Sequence, residues 1–154
     1  MGDRTPEWAA FQTDDRSSYL CAEGGGGHEV VADRPALGTW ETFRLKWLSQ
    51  NTLGLRAFNG QYVCAEGGGG HEVVANRDAL AEWETFVWRL VSLGGGGEET
   101  KQVALQAANG QYVCAEGGGG GEVNANRDEI GSWETFWVVI PPENLPREGG
   151  WGIP

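Results

Sequence analysis

One twelve-residue motif occurs three times. CAEGGGGHEVVA occupies residues 21–32 and again 64–75, and CAEGGGGGEVNA occupies 114–125. Each copy is followed by Asp or Asn, then Arg, a short variable stretch, and Trp-Glu-Thr-Phe. Cys21, Cys64 and Cys114 are spaced 43 and 50 residues apart, and so are Trp40, Trp83 and Trp133. Equal spacings at two landmarks put the seven extra residues outside the motif. GGGGEET at 94–100 is that insertion, and it reads as a loop between repeats two and three. The chain is therefore three copies of one supersecondary unit, at about 8–50, 51–100 and 101–140, with a tail at 141–154.

Within a repeat the pattern is that of strands. Residues 103–107 alternate and end at Asn109-Gly110, a hairpin signal because both residues tolerate positive φ. Residues 111–116 form the return strand, the glycine block a second turn, 122–125 a third short strand and 133–140 a fourth. In the first repeat Asp14-Asp15-Arg16-Ser17-Ser18 replaces Asn-Gly. Helical periodicity is absent. Four strands in each of three repeats predict twelve. Open solenoids carry more repeats and polar caps. Three uncapped units bury their strand edges by closing on each other. The expected fold is an all-β trefoil with pseudo-threefold symmetry, one domain over 1–154; a three-bladed propeller is the poorer alternative.

The net charge of −11 argues against nucleic acid and against anionic membranes. No run of 18 apolar residues suggests membrane insertion. No signal peptide is seen in this chain, so it is expected to be cytoplasmic or an excised module of a secreted protein. Three cysteines at one place in each repeat do not suggest a disulfide framework, and three free thiols are expected.

The recurring polar and aromatic residues are the candidate site. Glu23, Glu66 and Glu116 open the glycine block and share a strand face with Cys21, Tyr19 and their repeats. Such a carboxylate either accepts vicinal sugar hydroxyls or bonds the loop's own N–H groups. Glu29, Glu72 and Glu122 lie across the loop; with the first set they form acidic pairs, but no calcium-binding loop motif is present and no metal or cofactor is expected. Arg34, Arg77 and Arg127 read either as ion-pair partners of the Glu in Trp-Glu-Thr-Phe or as ligand contacts. Trp40, Trp83 and Trp133 either anchor the last strand or present a ring face to a pyranose. His28 and His71 flank the loop, where an imidazole bonds a ligand hydroxyl or is simply solvated; Gly121 takes that place in the third copy, so the third site is expected to differ. Phe43, Phe86 and Phe136 read as core, and Tyr19, Tyr62 and Tyr112 as core or shoulder. The block of glycines is either a tight turn or a bare backbone surface for a flat ligand. Two carboxylates per repeat are the raw material of glycoside hydrolysis. No copy carries a further acid, base or nucleophile, and phosphate-loop and metalloprotease motifs are missing, so catalysis is not expected.

The run N-G-Q-Y-V-C-A-E, then A-[DN]-R, then W-E-T-F, resembles the fascin-like β-trefoil repeat over about residues 8–140. Fascins bundle actin and contain four trefoils with basic surfaces. Single trefoils of this kind also occur as lectins and carbohydrate-binding modules, including modules attached to bacterial glucanases. The resemblance implies a monomeric carbohydrate-binding protein with up to three sugar sites for glycans or polysaccharide such as β-glucan. The alternative it implies is a structural protein that cross-links actin, with which the strong acidity of this chain fits poorly.

Overall fold

The computed structural model describes residues 7–92 and 101–141. The expected loop at 94–100 and the tail beyond 141, Trp151 included, lie outside the described residues. Alternating apolar residues make four short strands in each repeat. They are β1 (Trp8–Thr13), β2 (Tyr19–Ala22), β3 (Val30–Arg34) and β4 (Phe43–Trp47) in the first. The second holds β5 (Thr52–Arg56), β6 (Tyr62–Ala65), β7 (Val73–Arg77) and β8 (Phe86–Ser92). The third holds β9 (Gln102–Gln106), β10 (Tyr112–Ala115), β11 (Gly121–Arg127) and β12 (Phe136–Val139).

Six of these strands close a ring. β1 pairs β4, β4 pairs β5, β5 pairs β8, β8 pairs β9, β9 pairs β12, and β12 returns to β1, all antiparallel. The other six form three hairpins, β2–β3, β6–β7 and β10–β11, that cap one end of this barrel. A six-stranded barrel with three hairpins about a threefold axis is the β-trefoil that the repeat spacing predicts. Closure removes the barrel's strand edges, so no polar cap is required.

The core follows the symmetry. Phe43, Phe86 and Phe136 are fully buried, as expected, beside Phe11, Leu53 and Val103 of the barrel. Leu20, Val63 and Val113 with Val30, Val73 and Val123 supply the underside of the cap. Cutting one of these phenylalanines to Ala costs about 3–5 kcal/mol. Trp88 breaks the symmetry at the barrel floor, packing edge-on against Trp47 at 5.0 Å and against Phe11 at 6.2 Å. Tyr62 is buried, while Tyr19 and Tyr112 are half-buried shoulder residues.

Two local expectations are corrected. Asn59 and Asn109 do not take positive φ; only Gly60 and Gly110 do, at 93° and 94°. Gly110 N donates to Ala107 O and Ala107 N to Gln111 O, so the turn has three residues with glycine in the left-handed position, and the wider loop accommodates Asn in an ordinary conformation. Second, Trp40, Trp83 and Trp133 do not begin the last strand. They sit in one-turn 3-10 segments (Thr39–Glu41, Glu82–Glu84, Ser132–Glu134), because the following Glu folds back onto the chain. Glu41 Oε1 accepts from Gly38 N at 2.7 Å, Glu84 from Ala81 N at 2.8 Å and Glu134 from Gly131 N at 2.6 Å.

The glycine blocks are explained largely by the backbone. All four residues of each block have positive φ, as in Gly67 to Gly70 at 71°, 83°, 136° and 90°. The third glycine also lies against the next repeat: a Cβ on Gly26 or Gly69 would collide with the side chain of Asn59 or Asn109. The fourth donates its N–H into the next repeat, from Gly27 to Ala75 O, Gly70 to Ala125 O and Gly120 to Ala32 O. Gly69→Ala should therefore destabilise by about 2–4 kcal/mol, from left-handed strain and overpacking together. Gly117→Ala should cost only about 1–2 kcal/mol, since its Cβ meets nothing within 4 Å and strain alone remains. Urea unfolding of the two variants checks this, and equal losses would show that the inter-repeat contact is unimportant.

Cys21, Cys64 and Cys114 are buried free thiols. Burial, then a hydrogen bond to Glu84 or Glu134, pushes the Cys64 and Cys114 thiols up to about 12; Cys21 is raised for the same reasons, with Glu41 as its neighbour. A thiol reagent at pH 8 should leave the native protein almost unmodified and titrate three groups in denaturant without reductant. Finding one group would mean an internal disulfide.

Candidate functional site

At the end of β2 the chain turns sharply, and Glu23 opens a 3-10 turn (Glu23–Gly25) rather than extending the strand. The β2–β3 pairing also slips between Tyr19 and Cys21, so β3 carries an extra residue. Such a bulge re-aims the side chains that follow it. Arg34, at the end of β3, therefore reaches back over the same face as Cys21 and Glu23. The same slip occurs in β6–β7 and β10–β11.

Arg34 Nη2 donates to Glu23 Oε1 at 2.7 Å, Arg77 to Glu66 at 2.7 Å and Arg127 to Glu116 at 2.7 Å. The arginine's main partner is thus the glutamate that opens the glycine block, not the one in Trp-Glu-Thr-Phe, because the bulge turns it that way. The second glutamate keeps a weaker contact, with Arg77 Nε 3.9 Å from Glu84 Oε2. Arg34 Nη1 also donates to Cys21 Sγ at 3.4 Å. The tryptophan completes the cluster. The Arg34 guanidinium lies 5.7 Å from the Trp40 ring centre, and that of Arg127 lies 5.9 Å from Trp133. The indole Nε1 edge rests on the second glycine, where a Cβ on Gly25 would come within 3.1 Å of Trp40 Nε1. One edge is thus held while Trp40, Trp83 and Trp133 remain 39%, 42% and 42% exposed. The ring is fixed by its edge and offers a surface to solvent.

Of the residues singled out in the sequence, the glutamate and arginine come together in every repeat, and the tryptophan joins the arginine in the first and third. His28, His71, Glu29, Glu72 and Glu122 are exposed around the loop and stand apart from this ion pair. The His28 and His71 imidazoles lie over the first glycine of their blocks: a Cβ on Gly24 would be 2.9 Å from His28 Cδ2, and one on Gly67 3.0 Å from His71 Cδ2. Among the described residues no group of three or more His, Cys, Asp or Glu is placed to hold a metal ion.

The wall contributed by the next repeat was not legible in the sequence. Asn59 N donates to Gly25 O at 2.8 Å, and Asn109 N to Gly68 O at 2.9 Å. The β5–β6 hairpin thus leans on the first glycine block, and the β9–β10 hairpin on the second. Phe58 and Ala108 stand over the glycines, and Asp14 and Asp15 of the β1–β2 hairpin face the third block. The only available signal was that Asp14–Ser18 replaces the Asn-Gly hairpin, and closure alone decides which block that hairpin meets.

The Glu116 carboxylate is the most fully bonded of the three. It accepts from Arg127 through both oxygens and from Asn124 Nδ2 at 2.9 Å. The Arg127 hydrogen bonds, then the Asn124 bond, hold its pKa below the ordinary carboxylate range. Its contribution to stability is complete above the unfolded-state pKa and is lost as pH falls through the lower folded value. Glu116→Gln should cost about 1 kcal/mol near neutral pH, discounted for partial exposure of the pair. The wild-type and variant melting temperatures should converge in acid. A gap that persists below the folded pKa would assign the loss to packing.

A family described as a domain of unknown function, DUF7910, matches residues 8–63. No curated protein matches the chain. Among solved structures, a designed threefold symmetric protein, ThreeFoil, superposes with a TM-score of 0.71 at 19% identity, over 88% of this chain and 100% of that one. A mosquitocidal holotoxin superposes with a TM-score of 0.73 at 6% identity, over 90% of this chain and 18% of the toxin chain. At these identities the likeness is one of fold: the protein is a β-trefoil, and the chain corresponds to less than a fifth of the toxin's length.

Proposed function

We propose that this protein binds carbohydrate without transforming it, through up to three surface sites, one per repeat. The observation that supports this best is the recurrence of a half-exposed tryptophan held by its edge against a glycine turn. An indole fixed in this way suits the C–H face of a pyranose, with hydrogen-bonding groups around the rim for its hydroxyls. The fascin-like resemblance points the same way, and the trefoil fold is compatible with it. Glu23, Glu66 and Glu116 act chiefly by holding the arginines in place. Among the described residues nothing bonds Oε2 of Glu23 or Glu66, which leaves it as an acceptor for a ligand hydroxyl, whereas both oxygens of Glu116 are occupied.

A single shallow site of this kind binds weakly, with Kd on the order of millimolar to tens of micromolar. Three sites on one domain engaging the same polymer raise avidity by about 10²–10⁴ without new contacts. A monomer is sufficient for this. Actin cross-linking is the less favoured reading, because a net charge of −11 would meet an acidic filament.

The test is a set of tryptophan variants read by glycan array and polysaccharide pull-down. Replacing Trp40, Trp83 and Trp133 together by Ala should abolish polymer retention and leave the β-sheet circular dichroism spectrum unchanged. A folded triple variant that still binds a glycan normally would overturn the reading. Actin co-sedimentation by the wild-type chain, without glycan binding, would replace it.

A further inference from the structure

The three clefts are not equivalent, and the differences converge on one of them. In the first, His28 covers Gly24, and a Cβ on Gly25 would lie 3.5 Å from Phe58 Cδ2. In the second, His71 covers Gly67, and Ala108 Cβ lies 3.9 Å from the matching position on Gly68. In the third, Gly121 replaces the histidine and a Cβ on Gly117 would meet nothing within 4 Å; one on Gly118 would meet only Trp133. The carbonyl of the second glycine differs too. Gly25 O and Gly68 O accept from Asn59 N and Asn109 N. Among the described residues no amide of the β1–β2 hairpin makes the matching bond to Gly118 O. The result is a recess of about 110 Å³ lined by Gly117, Gly118, Ser132, Trp133, Asp14 and Asp15.

The recess has a definite chemistry. Asp15 Oδ1 accepts from Thr13 Oγ1 and Ser17 N, both at 2.9 Å, and Asp14 Oδ1 accepts from Gln102 Nε2 at 2.8 Å. These bonds orient both carboxylates through one oxygen. Asp15 also draws on the Ser17 side chain, whereas among the described residues Gln102 is the one side-chain donor to Asp14, and both carboxylates stay exposed. The wall therefore presents acceptors (two exposed carboxylates and the Gly118 carbonyl) beside an aromatic face. That combination selects a ring carrying donors, above all an ammonium group, and repels a ring carrying a carboxylate.

Resting on the sugar-binding reading above, we propose that the cleft between the third glycine block and the β1–β2 hairpin is the protein's principal subsite, and that it takes an amino-bearing pyranose in preference to a neutral one and excludes a uronate. The pyranose stacks on Trp133, its ammonium lies against Asp14 and Asp15, and a hydroxyl donates to Gly118 O. The first and second clefts contribute secondary contacts, since their floors are covered.

The experiment uses the full chain and three β-1,4-linked tetrasaccharide probes, of glucosamine, glucose and, for the acidic case, glucuronic acid. Calorimetry should show one dominant site, with the glucosamine tetramer binding at least tenfold tighter than the glucose tetramer and the glucuronate tetramer not binding. Gly121→His restores the covering histidine of the other repeats at a position without positive φ, where a side chain meets open space. It should fold and weaken the glucosamine tetramer at least tenfold. Asp14→Asn with Asp15→Asn should remove the preference for the amine. Amide shifts of the wild-type protein give a readout that needs no variant, and they should concentrate at 117–121, at Ser132–Trp133 and at 14–15. Equal shifts in all three clefts, or tight glucuronate binding, would overturn the assignment and leave the sugar-binding reading intact. If none of the three probes binds and a wider glycan array is also blank, that reading fails and the assignment fails with it.

Discussion

Closure of the molecule rests on a cycle of backbone hydrogen bonds that no repeat can make alone. The fourth glycine of each block donates to an alanine carbonyl on the next repeat, from Gly27 to Ala75, from Gly70 to Ala125 and from Gly120 back to Ala32. Ala75 N and Ala125 N return bonds to His28 O and His71 O. A buried or half-buried amide left without a partner is costly. Two repeats would leave such donors and acceptors open at each end, while three satisfy them in a ring. The four positive-φ glycines aim those N–H groups at a neighbour, and the absence of a Cβ lets Asn59 and Asn109 lie against the turn. The glycine block is thus the joint of the trefoil as well as the floor of its surface clefts.

The fold was legible in the chain because its cause is periodic. Two landmarks with equal spacing force three equivalent units, and alternation with Asn-Gly turns makes those units strands. The buried phenylalanines of Trp-Glu-Thr-Phe could be picked out on the same grounds. The site was legible only in part. Glu23, Arg34 and Trp40 could be grouped because they recur together, yet the partner of the arginine was misassigned. A β-bulge between Tyr19 and Cys21 decides that partner, and a bulge adds a residue without leaving a distinctive residue type behind. Phe58, Ala108 and Asp14–Asp15 could not be placed at all, because they belong to the repeat after the one whose cleft they wall. Only the handed order of closure puts them there.

The polar network within each repeat explains why the cysteine recurs without a disulfide or a metal. The thiol lies between Glu41 and Arg34, and its counterparts lie between Glu84 or Glu134 and the matching arginine. It is small enough for a crowded strand and polar enough to bridge two charged side chains. Glu41, Glu84 and Glu134 cap the turns that carry the tryptophans, and Glu23, Glu66 and Glu116 anchor the arginines on the same face. The indole is therefore positioned from both sides by groups that are themselves bonded. On the sugar-binding reading proposed above, such preorganisation limits the entropy lost when a pyranose settles on the ring.

Symmetry sets which positions are free to diverge. The fourth glycine of each block meets an alanine carbonyl in all three copies, so a change there breaks a bond that the other repeats retain. The residue over the first glycine and the side chains at the tip of the next hairpin lie outside that ring of bonds. These are the positions that differ: His28 and His71 against Gly121, and Phe58 and Ala108 against Asp14–Asp15. At the third cleft both differences act in one direction, removing cover from the glycine turn while adding acceptors to its wall. Under the proposed assignment, one ligand spanning floor and wall couples them, since an uncovered carbonyl at Gly118 contributes only when a donor is held against it by Asp14, Asp15 and Trp133.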